Sequence, residues 1–299
     1  MSVKGAELEL KSLPRVSARR RMADRTVQSL VYAAFVIAII PLVSVLWMVV
    51  TRGMERLDLD FLTFSMNGLS SSDEGGGANH AIVGTLQQVG LTAVMAVPLG
   101  ILTGVYLVEY GGNSRLARVI TFFVDVMTGI PSIVAGLFIL AFWLLALGFE
   151  YSGFAGALAL AILMMPTVVR ATEEMLKLVP NDLREASYAL GVPRWRTICF
   201  VVLPTALTGI VTGVMLAVAR VMGETAPLLL LVFITDAINS NPFEGPQGSL
   251  PTFIWYQAGD PNPQAIERAW AAALTLILII MLLNLGARLL ARLRKPVSR

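Results

Sequence analysis

Arg220 and Glu224 lie four residues apart in the run VARVMGETAPLLL (residues 218–230), inside a stretch that is otherwise apolar from Thr205 to Phe233. Two kinds of chemistry fit that spacing. Opposite charges at i and i+4 can pair on one helix face and fix its register. Alternatively, the planar guanidinium fork matches two oxygens of an oxyanion such as phosphate. In that reading Glu224 orients the fork and partly neutralises it between turnovers, so that a bound dianion is released. The two readings are compatible, as a resting pair that opens for a substrate. Three more polar residues interrupt apolar runs: Asp125, Ser132 and Arg170. Asp125 could pair with Arg170 or with Arg220. Arg170 either snorkels to the membrane surface or forms a second anion contact. Ser132 follows Gly129-Ile130-Pro131, where a helix must kink or break. A helix restarting at Ser132 would aim backbone N–H groups at an anion, whereas a packing kink is the plainer alternative.

The setting of these residues follows from composition. Only 14% of the 299 residues are charged and mean hydropathy is +0.72, too little polar surface for a soluble domain, which carries about a quarter charged residues. The chain is therefore an integral membrane protein. The single cysteine, Cys199, forbids an internal disulfide and has no Cys or His neighbour at metal-ligand spacing. The single histidine, His80, sits at a polar loop edge and is expected to be solvated.

Six stretches reach the ~20 apolar residues needed to cross ~30 Å of hydrocarbon: Val27–Val50, Ala81–Val108, Val119–Leu147, Gly153–Val169, Thr205–Phe233 and Trp270–Leu290. The first follows a long charged segment and has no A-x-A-like site after it, so it is expected to be a retained span rather than a signal peptide. Lys and Arg are unevenly distributed. Seven fall in residues 1–26, two at 115 and 118, five between 170 and 196 and five between 288 and 299, against only Arg52, Arg56 and Arg268 on the other side. The positive-inside rule then predicts both termini and the 170–204 loop in the cytoplasm. These basic flanks suit anionic lipid and call for no nucleic acid. The expected organisation is a basic tail (1–26), a permease-like transmembrane domain (27–293) and a short basic tail (294–299). The transmembrane domain carries a cytoplasmic loop (171–204) and external loops (51–80 and 234–268). Trp255 and Tyr256, in the second external loop, are expected as interfacial anchors or as part of a docking surface for an external partner. At ~1.5 Å per residue Arg220 would lie ~22 Å along the fifth span. An arginine at that depth costs ~2.5–3.5 kcal/mol if it faces lipid. Stepping 100° per residue puts Ala206, Gly209, Gly213, Ala217, Arg220, Gly223, Glu224 and Pro227 on one stripe. That stripe allows either close helix approach or room for a pathway.

The cytoplasmic loop contains a short helix with both ends marked. Asn181 or Asp182 can cap its start after Pro180. Gly191 suits the left-handed position past its end, and Pro193 prevents continuation. Leu183, Ala186 and Leu190 share one face, with Ser187 beside them. Two turns are unstable alone, so the helix either lies against its own bundle or lipid, or docks on another protein.

Glu185-Ala186-Ser187, three residues, Gly191, nine residues, Val201, one residue, Leu203-Pro204 resembles the E-A-A-x3-G-x9-I-x-L-P loop of ABC importer permeases, departing at Ser187 and Val201. TLQQVGLTAVMAVPLGILTGVYLVEYG (85–111) is similar to the early core helices of that family. GIPSIVAGLF (129–138), RVMGETAPLLL (220–230) and LPTFIWYQA (250–258) resemble the permeases of bacterial phosphate importers in particular. The resemblance implies an all-α bundle of six transmembrane helices of the type I importer class in the bacterial cytoplasmic membrane. It implies that Asp182, Leu183, Glu185, Ala186, Ser187, Leu190 and Gly191 form the element that docks on a cytoplasmic ATPase, with Glu185 in contact with it. It also implies a second, non-identical permease, two ATP-binding subunits and an extracytoplasmic phosphate-binding protein as partners. The chain has no G-x4-G-K-[ST] phosphate loop, so ATP and Mg would be bound by the partner ATPase and no cofactor by this chain, which is not expected to be an enzyme. Arginine alone does not separate phosphate from sulfate or molybdate. An ATP-independent anion transporter or channel is the alternative from another class, and would predict an inverted internal repeat.

Overall fold

The computed structural model describes residues 17–293; the basic segments 1–16 and 294–299, expected as parts of the cytoplasmic tails, lie outside the described residues. Every regular element among the described residues is helical. α1 (Ala18–Arg56) carries the first expected span and contains Pro41. The chain divides into two compact units, Met1–Val50 and Thr51–Arg299, and the helical bundle is the second.

After α1 a one-turn helix, α2 (Leu59–Thr63), is capped by Asp58, whose side chain accepts from the Phe61 backbone N–H. That hydrogen bond holds the Asp58 carboxyl below the usual carboxylate range. α3 (Asn79–Val105) continues as a π-helical turn over Tyr106–Gly111. α4 (Arg115–Gly129) and α5 (Ser132–Ile139, extended by a π-helical turn through Ala146) follow. α6 (Gly153–Lys177) is a single 25-residue helix. The connector holds α7 (Asn181–Ala189) and α8 (Arg194–Thr197), which runs through a π turn (Ile198–Val202) into α9 (Leu203–Met222). α10 (Ala226–Leu231), α11 (Leu250–Gly259) and α12 (Pro263–Leu293) complete the order.

Among the described residues five helices are long and apolar enough to span a bilayer, and a sixth span exists there only if α4 and α5 count as one, because they are bent by 107° at Ile130-Pro131. The third expected span is thus a broken one. Proline supplies no N–H and disfavours helical geometry in the residue before it, and Ile130 is extended at φ −72°, ψ 126°. The fourth span is longer than its apolar run, because α6 continues through the amphipathic residues up to Lys177. The fifth is shorter at its far end. α9 stops at Met222, and Gly223-Glu224-Thr225 separate it from α10.

The core is a seam of small residues. A methyl group on Gly100 or Gly104 of α3 would collide with Val168 or Thr172 of α6, and one on Gly213 of α9 with Ala171. α6 is thereby pinched between α3 and α9, close enough for dispersion contacts to replace the hydrophobic drive that lipid removes. Val89, Ala96, Leu160, Met164, Val168, Ala217 and Val221 fill this seam. The residues expected on one stripe of the fifth span therefore divide. Ala206 and Ala217 are buried, Gly209 and Gly213 abut α6, and Arg220 falls at the exposed edge.

At the end of the bundle carrying residues 233–262, backbone groups are tied down by side chains. Arg268 is 1% exposed and its guanidinium donates to the carbonyls of Ser71, Asp73 and Gly75, so the Gly/Ser-rich loop is clamped rather than free. Gln247, fully buried, accepts from Gln88 at 3.1 Å and donates to Asn239 O at 3.1 Å. α11 starts with a reciprocal capping box between Ser249 and Thr252.

Candidate functional site

Arg220 occupies the last turn of α9, and Glu224 lies beyond the helix end. The pair is therefore not the intrahelical i, i+4 bridge that the spacing suggests. Glycine 223 stops the helix, and the Arg220 Nε to Glu224 Oε1 distance is 3.9 Å, with the arginine side chain 59% exposed and the glutamate 19%. That is an ion pair at the limit of contact and not a hydrogen bond. The guanidinium keeps its donors open at the place where α9 gives way to α10. α10 in turn fits between α5 and α6: a methyl on Gly136 would strike Pro227, and one on Gly156 would strike Val232 and Leu228. The break at 223–225 and the break at 130–131 are thus on directly packed segments.

Arg170 behaves differently. Its Nη1 donates to Glu173 Oε2 at 2.6 Å, its Nη2 pairs with Asp125 Oδ1, and Glu173 Oε1 accepts from Lys177 at 2.7 Å. Of the two partners open to Asp125, the structure selects Arg170, joining α4 to α6. Ser132 begins α5 as expected, but the N-cap is Pro131 and no side chain caps that end. The structure does not bring Ser132 into hydrogen-bond contact with Arg220 or Arg170.

The connector helix α7 turns its apolar face outward. Arg184 and Ser187 face the bundle, while Leu183, Ala186, Glu185, Asp182 and Leu190 are exposed. Its apolar face does not lie against its own bundle. Arg184 draws it in by donating to Glu109 Oε1 from Nε at 3.1 Å and from Nη2 at 2.7 Å, to Val179 O at 2.7 Å and to Leu176 O at 3.0 Å. Ser187 Oγ bonds Thr197 Oγ1 at 2.8 Å, both buried. Asn181 and Asp182 are the first helical residues rather than caps, since the N-cap is Pro180 with no side-chain bond. Gly191 adopts φ +77°, the left-handed turn that a Cβ disfavours.

The sequence misplaces His80 and hides Glu109. His80 is not a solvated loop residue; it lies in the first turn of α3, 2% exposed, edge-on to Phe253 at 5.2 Å. Glu109 is 4% exposed, yet a carboxylate at the end of an apolar run reads as a surface residue. The only signal for it is the unmatched Arg184 that its burial demands. Glu173 is within reach of sequence reasoning, from the Arg170, Glu173, Lys177 spacing of i, i+3 and i+7.

The chain has relatives in both sequence and structure. A family model described as "Binding-protein-dependent transport system inner membrane component" matches residues 96–296. Phosphate transport system permease protein PstA 1 of Mycobacterium tuberculosis (strain CDC 1551 / Oshkosh) is 50% identical over 273 residues, spanning 91% of this chain and 90% of that protein. The PstA permease of Pasteurella multocida (strain Pm70) is 39% identical over 270 residues, spanning 90% and 95%. A chain of the bacterial alginate ABC transporter, crystallised with an alginate-bound periplasmic protein, aligns with TM-score 0.65 at 13% identity over 93% of this chain and 98% of its own. One from inward-facing MetNI methionine ABC transporter aligns at 0.56 and 23%, over 75% and 95%. The structural likenesses establish the shared fold, and the sequence matches extend over nearly the whole chain. The chain belongs to the family of binding-protein-dependent transport system inner membrane components, in its PstA-type permease branch.

Proposed function

We propose that this chain is a membrane-spanning permease subunit of an ATP-driven importer of inorganic phosphate in the bacterial cytoplasmic membrane, and that the anion passes Arg220 by alternating access. Its relatives' names supply the substrate class. The observation that carries the chemistry is the contrast between Arg220, whose one counter-charge stands 3.9 Å away, and Arg170, Arg184 and Arg268, each held by carboxylates or backbone carbonyls at hydrogen-bond distance. A guanidinium with open donors in a low-dielectric site binds an oxyanion bidentately. The nearby Glu224 limits that affinity so that the anion leaves. The position of Arg220 at a helix break lets small rotations of α9 and α10 turn it between two faces.

The exposed surface of α7, with Glu185, Leu183, Ala186 and Leu190, is offered to a cytoplasmic ATPase subunit, two copies of which serve this chain and a second, non-identical permease. ATP and Mg are bound there. An extracytoplasmic binding protein delivers phosphate to the end carrying 51–80 and 234–268, with both termini in the cytoplasm. Cysteines placed in 234–268 then label from outside the cell.

The test is ATP-dependent phosphate uptake by the full transporter in vesicles. Arg220→Ala should assemble with its ATPase yet lose about 10–100-fold in uptake, the value of a charge-assisted hydrogen bond of about 1.5–3 kcal/mol. Wild-type uptake by this variant would remove Arg220 from the path. Equal competition by sulfate would broaden the substrate to oxyanions.

A further inference from the structure

The connection between α7 and α6 is covalent and short, so that α7 moves α6 is no surprise. The less expected link is to α3, far away in sequence. Glu109, in the π turn that ends α3, is buried among cations: Arg184 reaches it with Nε and Nη2, and Arg194, at the start of α8, donates to the Glu109 backbone carbonyl. The Arg194 guanidinium also stands over the Tyr110 ring, 5.0 Å from its centre. Two arginines, one in α7 and one just beyond it, therefore hold one short segment of α3 by side chain, backbone and ring. Arg184 simultaneously binds the carbonyls of Leu176 and Val179 at the end of α6, so a single guanidinium joins three helices. The same segment runs into α4, where Tyr106 Oη lies 3.5 Å from Ser114 Oγ, the residue that caps α4.

We propose that Glu109 is a positioning residue for energy coupling: it makes α3, and not only α6, move with the ATPase-docking helix. The inference rests on the reading of α7 as the docking element. Nε and Nη2 of Arg184 both close on Oε1 of this buried carboxylate while the same guanidinium holds the Leu176 and Val179 carbonyls, so displacement of α7 is transmitted to α3 rather than absorbed by the loop at 189–193. A neutral amide at 109 keeps the shape but gives up the charge that holds Arg184 in its fork. α7 could then tilt while α3 stays behind.

The experiment compares wild type, Glu109→Gln and Glu109→Asp in the complete transporter, reading phosphate uptake and ATP hydrolysis in the same vesicles. With Glu109→Gln, phosphate carried per ATP should fall at least tenfold while ATP hydrolysis stays within twofold. Glu109→Asp, which retains the charge, should recover at least half of the ratio. A purely structural role would lower both rates together through the amount of assembled complex and leave the ratio alone. A wild-type ratio in Glu109→Gln overturns the proposal. Should that variant fail to assemble, Arg184→Lys decides, because lysine keeps the charge but not the fork: a lowered ratio supports the proposal and an unchanged one overturns it. Failure of the docking reading shows separately, as no ATPase retained by the wild-type chain, and would sink both.

Discussion

Arg184 and Arg220 are the same side chain under opposite conditions. Arg184 donates to Glu109, to the Leu176 and Val179 carbonyls and to Asn181, and it neutralises a carboxylate that is 4% exposed. Arg220 has 59% of its side chain open and a single counter-charge 3.9 Å off. The difference lies in what the backbone presents. At 176–180 the Leu176 and Val179 carbonyls and the Glu109 carboxylate all lie within hydrogen-bond reach of an arginine two turns on. At 220–225 the helix end is closed by backbone, with the Gly223 and Glu224 amides returning to Arg220 O and Val221 O. The guanidinium there makes no hydrogen bond, and its one counter-charge is Glu224 Oε1 at 3.9 Å. An arginine with all donors occupied rivets elements together, and one whose surroundings are already satisfied is free for a ligand.

The strongest way to break this comparison is to remove both. Arg184→Ala leaves the Glu109 carboxylate buried without its partner, which costs about 3–5 kcal/mol. Arg220→Ala leaves a partly exposed Glu224 and costs at most about 1 kcal/mol. Thermal unfolding of the purified complex should therefore drop sharply for the first variant and little for the second. Equal losses would mean that Arg220 is a rivet too, with partners supplied by another subunit.

A second, smaller effect sharpens the Arg184 side. Gly191 at φ +77° closes the turn between α7 and α8, with no heavy atom within 4 Å of an added Cβ. The cost of a side chain there is conformational rather than steric. Gly191→Val should destabilise by about 1–2 kcal/mol and tilt α7 against the Glu109 grip, so that ATP hydrolysis continues with less phosphate carried. Normal coupling in that variant would show that the turn tolerates a different path and that Arg184 alone sets the position of α7.

The helices were legible because their apolar runs are long and their stops are glycine or proline. Gly129-Ile130-Pro131 announced a break, though not a bend of 107°, since a kink and a broken helix share one sequence signal. The end of the fifth span was not legible. Gly223 alone is a weak stop inside an apolar run, and the decisive feature is α10 packing against Gly136 and Gly156, which involves partners far away in sequence. The residue that seats α7 was equally hidden, although an outward apolar face was one of the two placements its pattern allowed. Periodicity reports which residues share a face and not which face is inward, and here the buried face is chosen by Glu109, Leu176 and Val179 accepting from Arg184. His80 escaped for the same reason: neighbouring Asn79 is polar because it donates to Leu62 O at 2.8 Å, a tertiary bond that local composition misreports as solvent.

Arg170 stands between the two extremes and gives the finest test. It bridges a well-covered Glu173, 13% exposed, and an open Asp125, 61% exposed. An exposed pair contributes about 0–1 kcal/mol, and Glu173 stays bonded when Asp125 is changed. Asp125→Asn retains a carbonyl acceptor and removes only charge, so stability should shift by no more than about 1 kcal/mol and uptake by no more than twofold. Lysine 177 would still hold Glu173 in place, and Arg170 would turn toward it. A loss as large as that of Arg184→Ala would show that Asp125 is covered in the assembled transporter and that Arg170 belongs with the rivets. A large loss of uptake at unchanged stability would instead place Arg170 beside Arg220, because an arginine freed of one carboxylate would then hold the travelling anion too long.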